Sequence, residues 1–174
     1  MSLRILLTEA QIQARIKELG AQIDADYPTG ALHLVCILKG AYVFLADLAR
    51  AIQREAFVEF MGISSYGKNK TSSGQVKVTK DLDHSVEGAN VLIVEDIVDS
   101  GVTLSYLMQV LQQRKPRSVR IAALLDKPSH RVQPVHADYV GFTIEDFFVV
   151  GYGMDCAERY RNLPDICILS PEMR

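Results

Sequence analysis

Apolar residues near the start of the chain recur at helical intervals. Four of them, separated by four, three and four residues, fall on one face of an α-helix: Ile12, Ile16, Leu19 and Ile23. Residues 8–11 have the Thr-x-x-Gln pattern of a capping box, in which two side chains satisfy the first backbone N–H groups of a helix. We therefore predict a helix that begins after Thr8 and ends before Pro28 and Gly30, which interrupt the pattern.

Continuous apolar runs alternate with helical segments along the rest of the chain. Runs typical of strands buried on both faces occupy residues 32–38, 91–94 and 119–125. Shorter strand candidates lie at residues 58–66, 76–78, 139–142, 147–150 and 166–169. Helical spacing returns at residues 42–52 and from about 101 to 114, whereas residues 67–74 are polar and rich in turn-forming residues. Strands that alternate with helices predict an α/β fold with a central, mainly parallel sheet flanked by helices.

Composition agrees with an ordinary globular protein. The chain has 174 residues, which predicts a single domain over residues 1–174. It carries 19 Lys or Arg and 21 Asp or Glu, a formal net charge of −2 that argues against nucleic acid or a membrane surface as partner. The longest apolar runs are far shorter than the ~20 residues of a membrane helix.

Cysteines and histidines give no sign of a metal centre in the sequence. Three cysteines are widely spaced and form no CxxC pair: Cys36, Cys156 and Cys167. This usage argues against a disulfide framework or a zinc site, and it favours the reducing cytoplasm. Four histidines are isolated along the chain, and no metal or catalytic role is predicted for them: His33, His84, His130 and His136.

The segment at residues 91–104 combines acidic, hydroxyl and glycine residues. We predict a buried strand with two adjacent carboxylates, Glu95 and Asp96, at its tip, in the crevice where parallel sheets bind ligands. A short loop with a third carboxylate then enters a helix: Asp99, Ser100, Gly101, Val102 and Thr103. Carboxylates accept from the neighbouring hydroxyls of a ribose, and N–H groups at a helix start suit a phosphate monoester. The pattern favours a ribose 5-phosphate site, although Asp99 or Ser100 as a plain helix cap is the structural alternative.

The run VLIVEDIVDSGVT at residues 91–103 resembles the phosphoribosyl pyrophosphate motif of type I phosphoribosyltransferases. Nearly the whole chain is similar to the hypoxanthine-guanine branch of that family. Further matching segments are Leu38-Lys39-Gly40, Ser64-Ser65-Tyr66, Leu125-Asp126-Lys127 and residues 147–155 with 158–161. The resemblance implies a central, mainly parallel sheet flanked by helices, with a small hood formed by the N- and C-terminal segments.

The implied reaction joins hypoxanthine or guanine to 5-phosphoribosyl 1-pyrophosphate and releases pyrophosphate, a step of purine salvage. The implied cofactor is Mg²⁺, because a hard cation suits phosphate and carboxylate oxygens. The implied partners are the two small-molecule substrates and further copies of the chain, as a homodimer or homotetramer. Which 6-oxopurine is preferred, and whether xanthine is used, stays open.

The resemblance assigns a role to each matching residue. At the ribose, Glu95 and Asp96 hold the hydroxyls and the metal, and Asp155 holds a second metal near the base. Asp99 is the general acid/base at purine N7, and the 5′-phosphate lies on residues 99–103. The base is bound by Lys127, Phe148, Val149 and Asp155. The pyrophosphate is bound by Lys39, Gly40 and Arg161, with a cis peptide at Leu38-Lys39, and the mobile lid starts at Ser65 and Tyr66.

Apart from a plain α/β scaffold protein, which would require several motif coincidences, the sequence leaves two rival interpretations. One is a regulatory protein that binds phosphoribosyl groups without turnover, which we would expect to lack Asp99 or the region of Lys127 and Phe148. The other is a phosphoribosyltransferase for another base, such as xanthine, adenine or a pyrimidine. Lysine beside the 6-position favours 6-oxopurines over adenine, because adenine presents an amino group that leaves the cation unpaired.

Overall fold

The residues that the structure describes form nine strands and three α-helices. The structure, a computed structural model, describes residues 3–65 and 76–173. In chain order the elements are β1 (Arg4–Leu7), α1 (Glu9–Asp26), β2 (Leu32–Leu38), α2 (Tyr42–Ala51), β3 (Ala56–Ser65), β4 (Val76–Lys80), β5 (Asn90–Val98), α3 (Val102–Gln112), β6 (Ser118–Asp126), β7 (Tyr139–Thr143), β8 (Val149–Val150) and β9 (Ile166–Ile168).

The larger sheet has six strands in the order β4-β3-β2-β5-β6-β7. All neighbours in it are parallel except β3 and β4. Successive side chains of β2 point to opposite faces. Leu34 therefore packs with α1 and α2 on one face, whereas Val35 packs with α3 on the other. This confirms the predicted α/β fold and explains why the central strands are apolar throughout.

The predicted first helix is confirmed, and so is its capping box. Thr8 Oγ1 accepts from Gln11 N at 3.3 Å, and Gln11 Oε1 accepts from Thr8 N at 2.9 Å. The four residues that define its apolar face are all buried: Ile12, Ile16, Leu19 and Ile23. Gly20 allows α1 to approach α2 closely, since a Cβ there would lie 2.8 Å from the carbonyl oxygen of Ala51.

The second, smaller sheet joins the two ends of the chain. It is antiparallel and has the order β1-β9-β8, which confirms the hood of N- and C-terminal segments. The hydrophobic pattern did not predict β1, because this four-residue strand is stabilised by pairing with β9 from the far end of the chain. The strand predicted at residues 147–150 is shorter than expected, and only Val149–Val150 pairs with β9.

The strand that carries the acidic pair is longer than predicted. β5 pairs with β2 only as far as Val94, opposite Cys36, but it pairs with β6 as far as Val98. Glu95 and Asp96 therefore lie inside the strand, and Asp99 is the first residue beyond it. The pattern placed the strand end at the first charged residue, whereas pairing with β6 carries the extended backbone four residues further.

The structure also bears on the cysteines and on the length of the apolar helices. All three cysteines are free, as expected for a chain without a disulfide framework. Within the residues that the structure describes, no helix is long and apolar enough to cross a membrane.

Candidate active site

Two adjoining cavities open at the carboxyl ends of β2, β5 and β6. One, of about 290 Å³, is lined by the acidic pair and the start of α3: Glu95, Asp96, Ser100, Gly101 and Thr103. The other, of about 410 Å³, is lined by the remaining predicted residues: Lys39, Gly40, Lys127, Phe148, Val149, Asp155 and Arg161. Asp96 and Asp99 line both cavities, as do the apolar side chains of Ile63 and Ile97. The fold thus gathers residues that lie more than 120 positions apart in the chain.

The acidic pair is held by its own backbone and by the loop after β2. Asp96 N donates to Glu95 Oε1 at 3.1 Å, and Ile97 N donates to Asp96 Oδ1 at 2.7 Å. The peptide bond between Leu38 and Lys39 is cis, as the resemblance implies. Gly40 then passes so close to Asp96 that a Cβ at position 40 would overlap Asp96 Oδ2. Position 40 therefore requires glycine as long as Asp96 keeps its place.

Burial changes the ionisation of both carboxyls. Loss of solvent raises the pKa of Glu95 well above its usual range, and the neighbouring charge of Asp96 raises it further. Loss of solvent also raises the pKa of Asp96, against hydrogen bonds from Glu95 and Ile97 that lower it. Such a pair favours a ligand that donates hydrogen bonds or brings positive charge, because either one compensates the lost hydration.

The loop between β5 and α3 leaves the helix start open to a ligand. The N-cap of α3 is Gly101, whose φ is +81° and which has no side chain to cap the first turn. Ser100 Oγ accepts from Val102 N at 3.4 Å, and Asp99 does not occupy the cap position. The alternative of Asp99 as a plain N-cap is therefore wrong, and N–H groups of the first turn are available to an anion.

The loop after β6 anchors the loop after β5. Val98 O accepts from Lys127 N at 2.9 Å, and Ser100 O accepts from Val132 N at 2.8 Å. Arg131 donates to the backbone oxygen of Asp99 at 3.1 Å and also to Asp126. The two loops therefore form one unit that holds the side chain of Asp99 at the wall of both cavities. Arg131 is not among the predicted site residues.

Four charged or titratable groups meet at this junction. Lys127 Nζ lies 3.9 Å from Asp99 Oδ2 and 3.5 Å from Asp146 Oδ1. His130 Nδ1 lies 3.1 Å from Asp99 Oδ1, and its Nε2 lies 2.8 Å from Asp146 Oδ2. The prediction that the histidines are isolated is therefore wrong for His130. It is also wrong for His84, whose Nδ1 lies 2.6 Å from the buried Glu59, because sequence separation says nothing about proximity across a sheet edge.

The predicted base-binding residues line the larger cavity. The side chain of Lys127 is only 9% exposed, which excludes a freely solvated charge. Phe148 is 37% exposed and lines the cavity, whereas its neighbour Phe147 packs against the main core. Val149 is buried in β8, and its position is fixed by pairing with Ile168. A flat apolar ligand therefore finds an aromatic face and a buried ammonium group in the same cavity.

The same cavity is also lined by two cations with acidic neighbours. Lys39 Nζ lies 3.1 Å from Glu158 Oε2, and Arg161 Nη2 lies 3.0 Å from Asp155 Oδ1 and 3.3 Å from Glu158 Oε1. Arg161 Nη1 donates to the carbonyl oxygen of Gly153 at 2.9 Å, while its buried Nε has no hydrogen-bond partner. A bound anion would satisfy this donor. Glu158 was not predicted, and only the fold shows that it faces these cations.

The predicted metal ligands do not converge on one point. Among residues 3–65 and 76–173, no three His, Cys, Asp or Glu side chains form a group able to hold a metal ion. Asp155 also accepts from Glu158 N at 2.8 Å, the contact of a turn aspartate. Oxygen donors from one or two carboxylates fit Mg²⁺, which in proteins usually completes its shell with water and phosphate oxygens.

The predicted lid falls only partly within the described residues. Ser65 is the last residue of β3, where its backbone pairs with Val76 of β4. Tyr66 lies outside the described residues. The strands on either side of the segment 66–75 are thus joined antiparallel at the rim of both cavities, since Ile63 of β3 lines each of them.

The raised pKa of Glu95 makes a prediction about stability. Between the ordinary pKa of a glutamate and this raised value, the folded chain binds more protons than the unfolded chain, so the free energy of unfolding falls as pH rises. Glu95→Gln removes the titrating group and with it the fall in the free energy of unfolding, while the amide oxygen still accepts from Asp96 N. We expect a higher unfolding temperature for the variant, with a larger gain at pH 8 than at pH 5.

Thermal denaturation at both pH values measures this effect. Glu87→Gln is the matched control, because Glu87 is exposed and its neutralisation should leave the pH dependence unchanged. An equal gain at both pH values for Glu95→Gln would contradict the burial argument.

Comparison with known proteins agrees with this geometry. The family model described as phosphoribosyl transferase domain matches residues 3–157. The hypoxanthine-guanine phosphoribosyltransferase of Bacillus subtilis (strain 168) is 51% identical over 168 residues, which cover 97% of this chain and 93% of that protein.

Solved structures of phosphoribosyltransferases also match the chain. A hypoxanthine-guanine phosphoribosyltransferase from Bacillus anthracis superposes with a TM-score of 0.93 at 44% identity, over 97% of this chain and 100% of the other. The hypoxanthine phosphoribosyltransferase of Trypanosoma cruzi, solved in complex with the product IMP, has a TM-score of 0.93 at 45% identity, over 98% and 96% of the two chains. The chain therefore belongs to the phosphoribosyltransferase family, and within it to the hypoxanthine-guanine branch.

Proposed function

We propose that the chain transfers the 5-phosphoribosyl group of 5-phosphoribosyl 1-pyrophosphate to hypoxanthine or guanine, giving IMP or GMP and pyrophosphate. The observation that carries this proposal is the junction of the two cavities at Asp96 and Asp99. A ribose phosphate in the smaller cavity presents its anomeric carbon to the larger one, where a base and pyrophosphate have room. This reaction salvages purines, and we propose the cytoplasm as its location.

The smaller cavity suits the ribose 5-phosphate. The carboxyls of Glu95 and Asp96 accept hydrogen bonds from the two ring hydroxyls, which offsets the cost of their burial. The phosphate lies at the start of α3, where backbone N–H groups of residues 100–103 and the hydroxyls of Ser100 and Thr103 donate to it. The negative charge of the pair also favours the cationic ribosyl group that develops as pyrophosphate leaves.

The larger cavity suits the purine and the pyrophosphate. Phe148 stacks on the base, Val149 offers backbone groups to its edge, and Lys127 donates to the 6-oxo oxygen. Pyrophosphate lies on the loop of Lys39 and Gly40 and on Arg161, and it displaces Glu158 from both cations.

Carboxylates near both ends of the reacting bond fit a magnesium cofactor. Asp96 with Glu95 would hold it at the ribose, and Asp155 would hold a second ion beside the base and the pyrophosphate. When bound, Mg²⁺ neutralises charge on the leaving pyrophosphate. We also propose that the chain works as a homodimer or homotetramer.

Asp99 is the general base in this proposal. Its carboxyl lines both cavities, and its backbone is fixed by Arg131. It takes the proton of purine N7 while the base attacks the anomeric carbon, and it returns that proton in the reverse reaction. The lid expected from Ser65 and Tyr66, most of which lies outside the described residues, would keep water from the ribosyl cation in this proposal.

Pyrophosphate release tests the function directly. The purified chain is mixed with 5-phosphoribosyl 1-pyrophosphate, Mg²⁺ and one free base at a time, and we expect release with hypoxanthine or guanine but not with adenine or pyrimidines. Release with another base alone would support the rival acceptor. Binding of IMP without release with any base would support the regulatory protein.

Replacement of Asp99 should separate chemistry from binding. We expect Asp99→Ala to lower kcat by roughly 10²- to 10⁴-fold, the range of general acid–base catalysis, while the Kd of IMP changes only a few-fold. Steady-state kinetics and calorimetry measure the two quantities. Asp26→Asn, at an aspartate that pairs with Arg120 near the start of β6, serves as the control. A kcat like that of the unaltered chain would refute the assignment of Asp99.

Replacement of Lys127 should change the choice of base. Its contacts of 3.5 and 3.9 Å are longer than ordinary charged hydrogen bonds, so the ammonium group keeps the capacity to donate to a ligand. We expect Lys127→Ala to reduce the ratio of kcat/KM for hypoxanthine over adenine by about tenfold or more. Lys17→Ala, at an exposed position of α1, should leave the ratio unchanged. An unaltered preference in Lys127→Ala would contradict the role of the lysine.

A further inference from the structure

We propose that His130 is a positioning residue for Asp99, and that it shares the proton that Asp99 takes from the purine. This inference rests on the proposed function, because it concerns the same proton. It goes further by assigning a path for that proton from the base to solvent, through a side chain in the loop after β6.

The imidazole of His130 lies between two carboxylates. Its Nδ1 is 3.1 Å from Asp99 Oδ1, and its Nε2 is 2.8 Å from Asp146 Oδ2. Asp99 lies at the cavity wall, whereas Asp146 lies on the connection between β7 and β8. The ring therefore joins the base-binding cavity to the protein surface, where the side chain of His130 is 47% exposed.

Whether His130 Nδ1 and Asp99 Oδ1 can form a hydrogen bond depends on whether one of them carries a proton. A neutral imidazole has one N–H, and the shorter distance to Asp146 favours its location on Nε2. Nδ1 then presents a lone pair to Asp99 Oδ1, a buried oxygen that has no hydrogen-bond partner. An ionised Asp99 leaves both atoms unsatisfied. The two atoms lie 3.1 Å apart and form no hydrogen bond in this structure, and a proton shared between them after Asp99 has accepted one would pair both.

The position of the ring is fixed by its surroundings. Residues Pro128–His130 form a single 3₁₀ turn, and His130 N donates to Lys127 O at 3.3 Å. The next residue, Arg131, donates to the carbonyl oxygen of Asp99 at 3.1 Å. The charged groups that face the ring or its two carboxylates are thus Asp99, Asp146, Lys127 and the guanidinium of Arg131. Lys127 lies close to both carboxylates, whereas Arg131 holds the backbone of Asp99.

Every proton and electron pair in the transfer of the purine N7 proton is accounted for by the substrates, Asp99, His130 and water. The N7–H bond of the purine breaks, and an O–H bond forms on Asp99. At the same time the base attacks the anomeric carbon, and the bond from that carbon to pyrophosphate breaks with its electron pair leaving on pyrophosphate. The proton then moves from Asp99 to Nδ1, which makes an imidazolium that donates to both carboxylates. Because the ring is half-exposed, it releases that proton to water and returns to the neutral form.

Chemical rescue tests this role. We expect His130→Ala to lower kcat about tenfold or more, because general acid–base steps contribute roughly 10²- to 10⁴-fold and water replaces the ring only in part. The KM values for both substrates should stay within about twofold. Added imidazole should restore part of kcat, since the exposed site admits a free imidazole. His130→Gln should stay slow, because an amide donates a hydrogen bond without passing on a proton.

Controls separate this role from simple support of the loop. His136→Ala, at an exposed histidine of the same loop, should keep the kcat of the unaltered chain and should not respond to imidazole. Calorimetry with IMP and thermal denaturation verify that each variant is folded. If His130→Ala does not fold, the pH profile of kcat for His130→Gln decides, and a profile with the same height and shape as that of the unaltered chain overturns the inference.

Two results overturn the inference while the proposed function stands. One is a kcat for His130→Ala equal to that of the unaltered chain. The other is full recovery in His130→Gln with no response of His130→Ala to imidazole, the behaviour of a structural hydrogen bond. Failure of the unaltered chain to release pyrophosphate with any base would instead refute the proposed function itself.

Discussion

The last four residues of β5 are paired with a neighbouring strand on one side only, and the candidate site depends on this asymmetry. β2 stops pairing at Val94, whereas β6 continues to Val98. The space that β2 leaves is filled by the loop at Lys39 and Gly40, and Gly40 packs directly against Asp96. The acidic pair is therefore rigid because it belongs to a strand, and accessible because the neighbouring strand has ended.

Burial of this pair gives the site its chemical character. Two adjacent carboxyls with little solvent are unfavourable in the empty chain, and their raised pKa values express that cost. In the proposed function, ribose hydroxyls, a divalent cation and a developing ribosyl cation would each reduce this cost. A ligand that compensates these carboxyls recovers the free energy that their burial costs the empty chain. This recovered free energy would stabilise the bound substrate and the positive charge that forms during the reaction.

The second constraint is the connection between the loops after β5 and β6. Lys127, Arg131 and Val132 bond to the backbone of residues 98–100, so the two loops move together. This arrangement brings Asp99 next to Lys127, His130 and Asp146. In the proposed reaction, recognition of the base and management of its proton therefore depend on one set of contacts, and a change in either loop would affect both.

The sequence by itself determined the α/β class, the first helix with its capping box, and the central strands, because hydrophobic spacing and local hydrogen bonds act over a few residues. It also marked Glu95, Asp96 and Asp99, since three acids beside Ser, Gly and Thr form an unusual local pattern. Local pattern did not reveal β1, whose strand exists through pairing with β9, or the extension of β5 to Val98, which β6 imposes.

Only the tertiary structure determined which side chains lie next to the site residues that the sequence predicts. His130 looked isolated in the sequence and lies 3.1 Å from Asp99, while Glu158 faces Lys39 across the cavity although 118 residues separate them. The physical reason is that parallel strands bring the loops at their carboxyl ends to one edge of the sheet. Which side chains meet at that edge depends on strand order and register, and these are set by the packing of the whole core.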